Sequence, residues 1–505
     1  SILVSVFLMR IKINNNSNTV QAVWLGLGSF VSFSFGIISA AILSRYLSKA
    51  DYGTYKQVLY VYNTLLVVFS LGLPRAYSYF LARVPIEAGY SIVRKINLMF
   101  LIIGIVFSLF LCIGSSFLAD VLNNSALKEC LQLFAITPIF LLPLMGIESI
   151  MATYRKAYIN TIYVIGSRFF SLVCVVLPVI LFDSSVYVAI VGFVFSSVLC
   201  CILGLFLERI PFRQLVKIPT QLEIKDILKY SFPLLLASVW GIVITSSTQF
   251  FISRYWGNET FAEFSNGFIE LPFASMVISA SATVLLPVFS KMVHERSTNT
   301  DIVNLWKSVA IKSSKIIFPL AIFACVFAKL IMIFLYGEEY MESSVYFQII
   351  TIVNLVRIVP YAPVVLALGK VKEYAHVHFI TALGVVVLEY LMVLLFPDNP
   401  YMVVWISVWC TIISLYLQIK IVCNALNIPI SQLVPYKKLG VILLCSCLAA
   451  VLTKIFLLML PMLSISLSLI VSGLVFVILY IIICKVIGIS YAEIVMPILN
   501  RSEVH

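Results

Sequence analysis

The sequence predicts an all-α polytopic membrane protein with about fourteen transmembrane helices, and three observations carry that prediction. Of 505 residues, 62% are hydrophobic and 11% are charged, under half the charge of about 25% usual in a globular chain. The apolar residues gather in runs of about 20 or more, the length a helix needs to cross the hydrocarbon core of a bilayer. The basic residues lie between those runs and favour alternate loops. A mean hydropathy of +1.08 agrees. A soluble enzyme, a disordered tail and a disulfide scaffold are excluded, because a water-soluble particle of this composition would leave large apolar areas wet.

In chain order, the expected spans are 20–44, 56–82, 96–119, 128–153, 157–181 and 186–208. A polar tract from Glu208 to Lys229 separates these from 229–253, 262–290, 310–335, 343–369, 375–396 and 400–424. A last pair occupies 437–460 and 463–485. The corresponding organisation is an N-tail (1–19), an N-lobe of six spans (20–208), an inter-lobe linker (209–228), a C-lobe of six spans (229–424), a loop (425–436), the extra helix pair (437–485) and a C-tail (486–505). Residues 1–9 are apolar, too short for a span and without the basic leader of a signal peptide, so Met9 is the expected natural start.

The loops on the side shared by both termini hold 25 Lys and Arg, and the opposite loops hold seven. By the positive-inside rule both termini face the cytoplasm, and an even number of spans is required to keep that bias in register. The formal charge of +12 is therefore a membrane-flanking rim rather than one patch, which argues against a nucleic-acid partner. All eleven cysteines lie in or beside apolar segments without paired metal-ligand spacing, and read as small buried hydrophobes. No GxxxxGK[ST] stretch occurs, so the chain carries no P-loop of its own; no cofactor or metal is expected.

The two six-span blocks resemble each other at an offset near 209. Asp51-Tyr52-Gly53-Thr54-Tyr55 follows the first span, and Thr260-Phe261-Ala262-Glu263-Phe264 follows the seventh. Asn123-Asn124-Ser125 parallels Gly337-Glu338-Glu339-Tyr340. Because six is even, the blocks are parallel repeats about a pseudo-two-fold axis along the membrane normal, a plan that puts a substrate site near the midplane.

At these residues the chain resembles the polysaccharide (Wzx-type, O-antigen) flippases of the multidrug/oligosaccharidyl-lipid/polysaccharide (MOP) exporter superfamily, over about residues 18–490. The resemblance rests on Leu47-Ser48-Lys49-Ala50-Asp51-Tyr52-Gly53-Thr54-Tyr55, Leu71-Gly72-Leu73, Ser231-Phe232-Pro233 and Leu285-Leu286-Pro287-Val288-Phe289-Ser290. It implies a MATE/MurJ-like fold and a transporter, not an enzyme, that moves an undecaprenyl-diphosphate-linked oligosaccharide by alternating access through a cationic cavity of the bacterial inner membrane. It also implies membrane lipids, a polysaccharide polymerase and a chain-length regulator as partners, with the chain itself a monomer. The family often carries an Asp late in span seven; Thr248-Gln249 stand here instead, so a proton or cation role for that Asp does not carry over. The alternatives are a lipid II flippase or a drug/cation antiporter of the same superfamily and, from another class, a polyprenyl-dependent polymerase or ligase, which the short outer loops disfavour.

An ionisable residue deep in a span costs at least about 2.5–3.5 kcal/mol, so such residues are functional candidates by default. Arg168 and Arg357 lie nearest mid-span, and Arg75 and Arg254 lie nearer a membrane face. Arginine suits a diphosphate, because its guanidinium stays charged and grips phosphate oxygens two at a time. Arg357 shares a helical face with Asn354 and Tyr361; Arg168 flanks a stripe of Asn160, Tyr163, Ser167, Ser171 and Cys174. Span seven carries Ser238, Gly241, Thr245 and Gln249 on one face, and span eight carries Glu263, Asn266 and Glu270. Trp240, Tyr163, Tyr361 and Tyr79 lie on or near these stripes and could stack on sugar rings. The alternative role for each arginine is a helix-to-helix ion pair, with Glu148 or Glu389 as partner. Glu270, Glu148 and Glu389 are the ion-coupling candidates, and Glu270 could instead pair with Arg254 or Lys329.

Overall fold

In a bilayer every backbone N–H and C=O must be satisfied inside its own segment, so apolar runs of this length become helices. The computed structural model describes residues 18–213, 215, 218–460 and 463–491; the expected start at Met9 lies outside the described residues. No strand occurs among the described residues. The first half comprises α1 (Asn18–Tyr46), α2 (Lys49–Phe69), α3 (Leu73–Leu81), α4 (Ile86–Val121), α5 (Ala126–Phe134), α6 (Thr137–Leu141), α7 (Ile147–Thr153), α8 (Ala157–Leu181) and α9 (Val186–Glu208). The second comprises α10 (Ile224–Gly267), α11 (Pro272–His294), α12 (Asn299–Val326), α13 (Ala328–Tyr336), α14 (Ser343–Thr351), α15 (Ala362–Ala367), α16 (Val371–Leu395), α17 (Tyr401–Leu426), α18 (Ile430–Leu433), α19 (Tyr436–Leu458) and α20 (Ile465–Ile487).

Among the described residues, ten helical segments are long and apolar enough to cross a membrane singly, and two bent pairs raise the number to twelve. The other two expected runs are helical as well: α11, and a tenth run interrupted between α14 and α15. That interruption corrects one expectation. After α14 the chain tightens into a 3₁₀ turn at Ile352–Leu355 and resumes a helix only at Ala362. Arg357 therefore lies in a break, and Asn354 and Tyr361 do not share a helical face with it. Pro360 and Pro363 supply the reason, since a proline removes a backbone donor and restricts the residue before it.

The chain divides into two compact units, one within Ser1–Ile242 and Ser253–Ala262, the other within Val243–Ile252 and Glu263–His505. In the first unit the sequence motifs meet one another. Gly53 sits so close to the chain at Asn258 that a Cβ there would stand 1.9 Å from the Asn258 carbonyl oxygen. Around that crossing Asn124 donates to Thr54 Oγ1 (2.9 Å) and Gln57 Oε1 (2.5 Å), Gln57 donates to Ser253 Oγ (2.7 Å), and Asn258 donates to the Ala50 carbonyl (3.1 Å). Gly72 ends the 46° bend between α2 and α3 with φ +70°, and a Cβ there would meet the Ser231 carbonyl at 2.5 Å. The Leu71-Gly72-Leu73 and Ser231-Phe232-Pro233 motifs are thus two sides of one contact.

The second unit has an apolar core of Leu285, Phe289, Trp306, Tyr361, Val365, Val422 and Ile442 among others. α19 and α20 pack together through Cys445, Ala449, Phe476, Tyr480 and Cys484, against Phe323 of α12. Of the eleven free cysteines six are buried and four half-buried, as expected of small hydrophobes; Cys112 is exposed.

Candidate functional site

In the first unit the predicted stripe on α8 lines a cavity of about 400 Å³. Asn160, Tyr163, Ser167 and Ser171 face it from α8, Ser29 and Ser32 from α1, Ser196 and Ser197 from α9, and Glu148 from α7. Cys174 is not among its lining residues. Arg168 opens into the same space, and its Nε donates to Ser32 Oγ at 2.8 Å. That bond uses one of five guanidinium donors. Arg168 forms no ion pair with Glu148 among the described residues, so the structural pairing considered for it is absent from this unit. The stripe is cavity-lining because α8 turns its small polar residues inward, where hydroxyls find water or partners rather than lipid.

In the second unit two of the candidates hold each other. Arg357 Nη2 lies 3.0 Å from Glu270 Oε1, an ion pair between the break after α14 and a residue two positions before α11. The sequence expectation differs: it pairs Arg357 with Glu148 or Glu389, and Glu270 with Arg254 or Lys329. Arg357 is one-third exposed and Glu270 nearly two-thirds. Arg357 Nε is buried and makes no hydrogen bond among the described residues.

Glu389 is fully buried on α16. Its carboxylate accepts hydrogen bonds from the Thr248 hydroxyl at 2.6 Å and from the Ser247 hydroxyl. Ser247 and Thr248 of the seventh span therefore both donate to one carboxylate on another helix. A buried carboxylate needs such donors, because desolvation without them is costly.

Other candidates have different work. Arg254 donates from Nη1 to the carbonyls of Asp120 and Val121, satisfying free acceptors at the C-terminal end of α4. Tyr361 is a correction. It is 6% exposed, its hydroxyl donates to the Val356 carbonyl at 2.7 Å, and its ring packs on Trp306, which removes it from sugar stacking. Asn354 is buried and donates to the Thr351 carbonyl at 3.2 Å, closing its own turn. Gln249 donates to the Thr245 carbonyl at 3.3 Å. Tyr79 stacks on Tyr230 (3.9 Å) and lies under the Arg83 guanidinium (3.4 Å), so its face is covered. Arg75 and Trp240 are exposed.

The structure adds a group the sequence did not reveal. Glu208, expected at the start of the polar linker, is 3% exposed. Its Oε2 accepts from Asn97 Nδ2 at 2.8 Å, and the Tyr77 hydroxyl donates to Asn97 Oδ1. Three residues from α3, α4 and α9 thus form one buried chain. The only signal available beforehand was a lone Asn at the apolar start of span three.

Helices long and apolar enough to cross a membrane thus carry a hydroxyl-rich arginine cavity in one unit, and an accessible ion pair and a buried carboxylate in the other. The chain belongs to a family described as polysaccharide biosynthesis protein, whose pattern matches residues 20–293. Solved structures share the fold at low identity. The lipid II flippase MurJ in an inward closed conformation aligns over 93% of this chain and 98% of its own, with TM-score 0.69 and 14% identity. An inward-facing multidrug resistance MATE family transporter of the MOP superfamily aligns over 79% of this chain and 99% of its own (TM-score 0.60, 13% identity). The Vibrio cholerae MATE transporter VcmN in its bent form covers 81% of this chain and 96% of its own (TM-score 0.55, 13% identity). No curated protein sequence matches the chain.

Proposed function

We propose that the chain is a flippase for an undecaprenyl-diphosphate-linked oligosaccharide, the repeat unit of O-antigen or another surface polysaccharide. It moves this lipid from the cytoplasmic to the outer leaflet of the bacterial inner membrane by alternating access, with both termini cytoplasmic and with no covalent bond made or broken. A polysaccharide polymerase and a chain-length regulator then act on the delivered unit. The observation that carries the reading is the first-unit cavity. Arg168 supplies a permanently charged donor for a phosphate oxygen, while Asn160, Tyr163 and the six serines on α1, α8 and α9 offer the hydroxyl and amide groups that sugars bind. In the second unit Arg357 can exchange Glu270 for a substrate phosphate, because their ion pair is accessible. Glu389, held between Ser247 and Thr248, is the coupling carboxylate, able to take a proton or cation when its helix pair rearranges.

Export of surface polysaccharide in cells lacking the gene tests this. The wild-type chain is expected to restore export and Arg168→Ala to leave lipid-linked glycan accumulated on the cytoplasmic side at normal protein abundance. Normal export by Arg168→Ala would overturn the assignment of the cavity. A second reading, lipid II as cargo, is supported by the overlap with MurJ over 93% of this chain. Growth rescue of cells depleted of their lipid II flippase separates the two, since an O-antigen flippase is expected not to rescue.

A further inference from the structure

We infer that the second unit carries a binding site for the phosphate headgroup of an anionic phospholipid, separate from the transport path proposed above and independent of it. A cavity of about 1170 Å³ opens between the N-terminal half of α12, the start of α19 and the end of α20. Five lysines line it: Lys307, Lys312 and Lys315 from α12, and Lys437 and Lys438 from the first turn of α19. No Asp or Glu lines it, and none of the five lysines is in an ion pair among the described residues. Five like charges converging on one space repel one another, so the lining is incomplete without a polyanion.

The depth of the site selects a lipid. α12 has 28 residues and rises about 42 Å, more than the roughly 30 Å of the hydrocarbon core, so its lysine-bearing turns stand at the membrane–water boundary. α19 begins and α20 ends at the same level, on the side to which the charge bias assigns the cytoplasm. The lining changes from lysine to Ile311, Val441 and Ile442 along the cavity, which gives a headgroup its charges and the first carbons of the acyl chains an apolar wall. Basic pockets between helices at this depth are how membrane proteins hold anionic headgroups. No side chain caps the N-terminus of α19, so its first-turn N–H groups add to the attraction for an anion. The site is rigid. Lys315, buried at 7% exposure, donates to the Ser490 carbonyl at 2.6 Å, and Tyr491 donates back to the Lys315 carbonyl at 3.1 Å. These bonds fix the chain after α20 against α12. A phosphatidylglycerol or cardiolipin seated there would hold the extra helix pair to the rest of its unit.

The test is native mass spectrometry of the purified chain in mixed micelles of equal phosphatidylglycerol and phosphatidylethanolamine. Wild type is expected to retain phosphatidylglycerol in preference. With each lysine worth about fivefold in occupancy, the K312Q/K437Q/K438Q variant is expected to lose at least about tenfold of that retention. K312R/K437R/K438R, which keeps the charge, is expected to retain it, as is K225Q/K229Q/K372Q, which removes three exposed lysines elsewhere. Equal loss in both glutamine triples would overturn the site as non-specific surface charge. Equal retention of the two lipids by wild type would overturn it too. Displacement of phosphatidylglycerol by inorganic pyrophosphate alone would overturn the lipid assignment in favour of a free phosphate. Because retention is read without transport, failure here leaves the flippase reading standing, and the reverse.

Discussion

Gly53→Ala is expected to destabilise the first unit by about 2–4 kcal/mol. An ideal Cβ at this position stands 1.9 Å from the Asn258 carbonyl oxygen and 2.6 Å from its carbon, where ordinary contact begins at 3.4 Å. Both obstacles are backbone, so no rotamer change relieves them, and the two segments must part by about 1.5 Å, the gap between those distances. Overpacking of this kind costs about 1–3 kcal/mol and occasionally more. Separation also stretches the Asn258 bonds to the Ala50 carbonyl and Thr54 Oγ1, now 3.1 and 3.3 Å, at about 1 kcal/mol each. Against this, alanine is the better helix former by about 1 kcal/mol. Gly36→Ala is the control, because nothing lies within 4 Å of its Cβ position; it is expected to be neutral or slightly stabilising. The assay is thermal unfolding of the detergent-solubilised protein at one fixed heating rate, since such unfolding is commonly irreversible. Should Gly53→Ala melt with wild type, the close crossing of α2 with the chain at Asn258 is wrong.

Four further outcomes follow from the same contacts. Arg254→Ala should lower melting by the equivalent of about 1–2 kcal/mol through loss of two bonds to the end of α4, with transport per folded molecule unchanged; a selective loss of transport would return Arg254 to the substrate path. Glu389→Gln keeps the shape and an acceptor for the Thr248 hydroxyl, so it should fold at normal yield yet lose dependence on the driving ion, whereas Glu389→Ala should cost about 2–4 kcal/mol in fluorescence-monitored melting through the cavity and the orphaned hydroxyls. A double-mutant cycle on Arg357 and Glu270 should give a coupling below about 1 kcal/mol in melting, because the Glu270 carboxylate is largely exposed and screened; strong coupling would make the pair a structural staple. Arg168→Lys should keep part of the glycan export that Arg168→Ala loses, since lysine preserves the charge without the paired donors.

Much of the architecture was legible from composition and periodicity. Each expected apolar run forms helix, the tenth with a break between Thr351 and Ala362, and the Asn160-to-Ser171 stripe does face a cavity, because 3.6-residue spacing sets which side chains share a face before any neighbour is known. The motifs at Gly53 and Gly72 were visible as patterns, but their purpose was not. Both glycines are close-approach points, and what approaches them, Asn258 and Ser231, lies roughly 160 to 200 positions further along the chain.

Charge was legible only as a distribution. Sorting 34 Lys and Arg by loop identified the basic rim, while every individual pairing of a deep charge differed from expectation. Arg357 met Glu270, Arg254 met backbone carbonyls, and Glu389 met hydroxyls from the seventh span. The break after α14 moved Arg357 off the face that helical spacing gave it.

What the sequence determined by itself is the number and nature of the segments: with lipid as solvent, backbone hydrogen bonding leaves an apolar run no alternative to the helix. What only tertiary structure decided is which polar atoms meet. A buried charge accepts any suitable donor that packing brings within about 3 Å, and packing brings together residues that no local pattern connects.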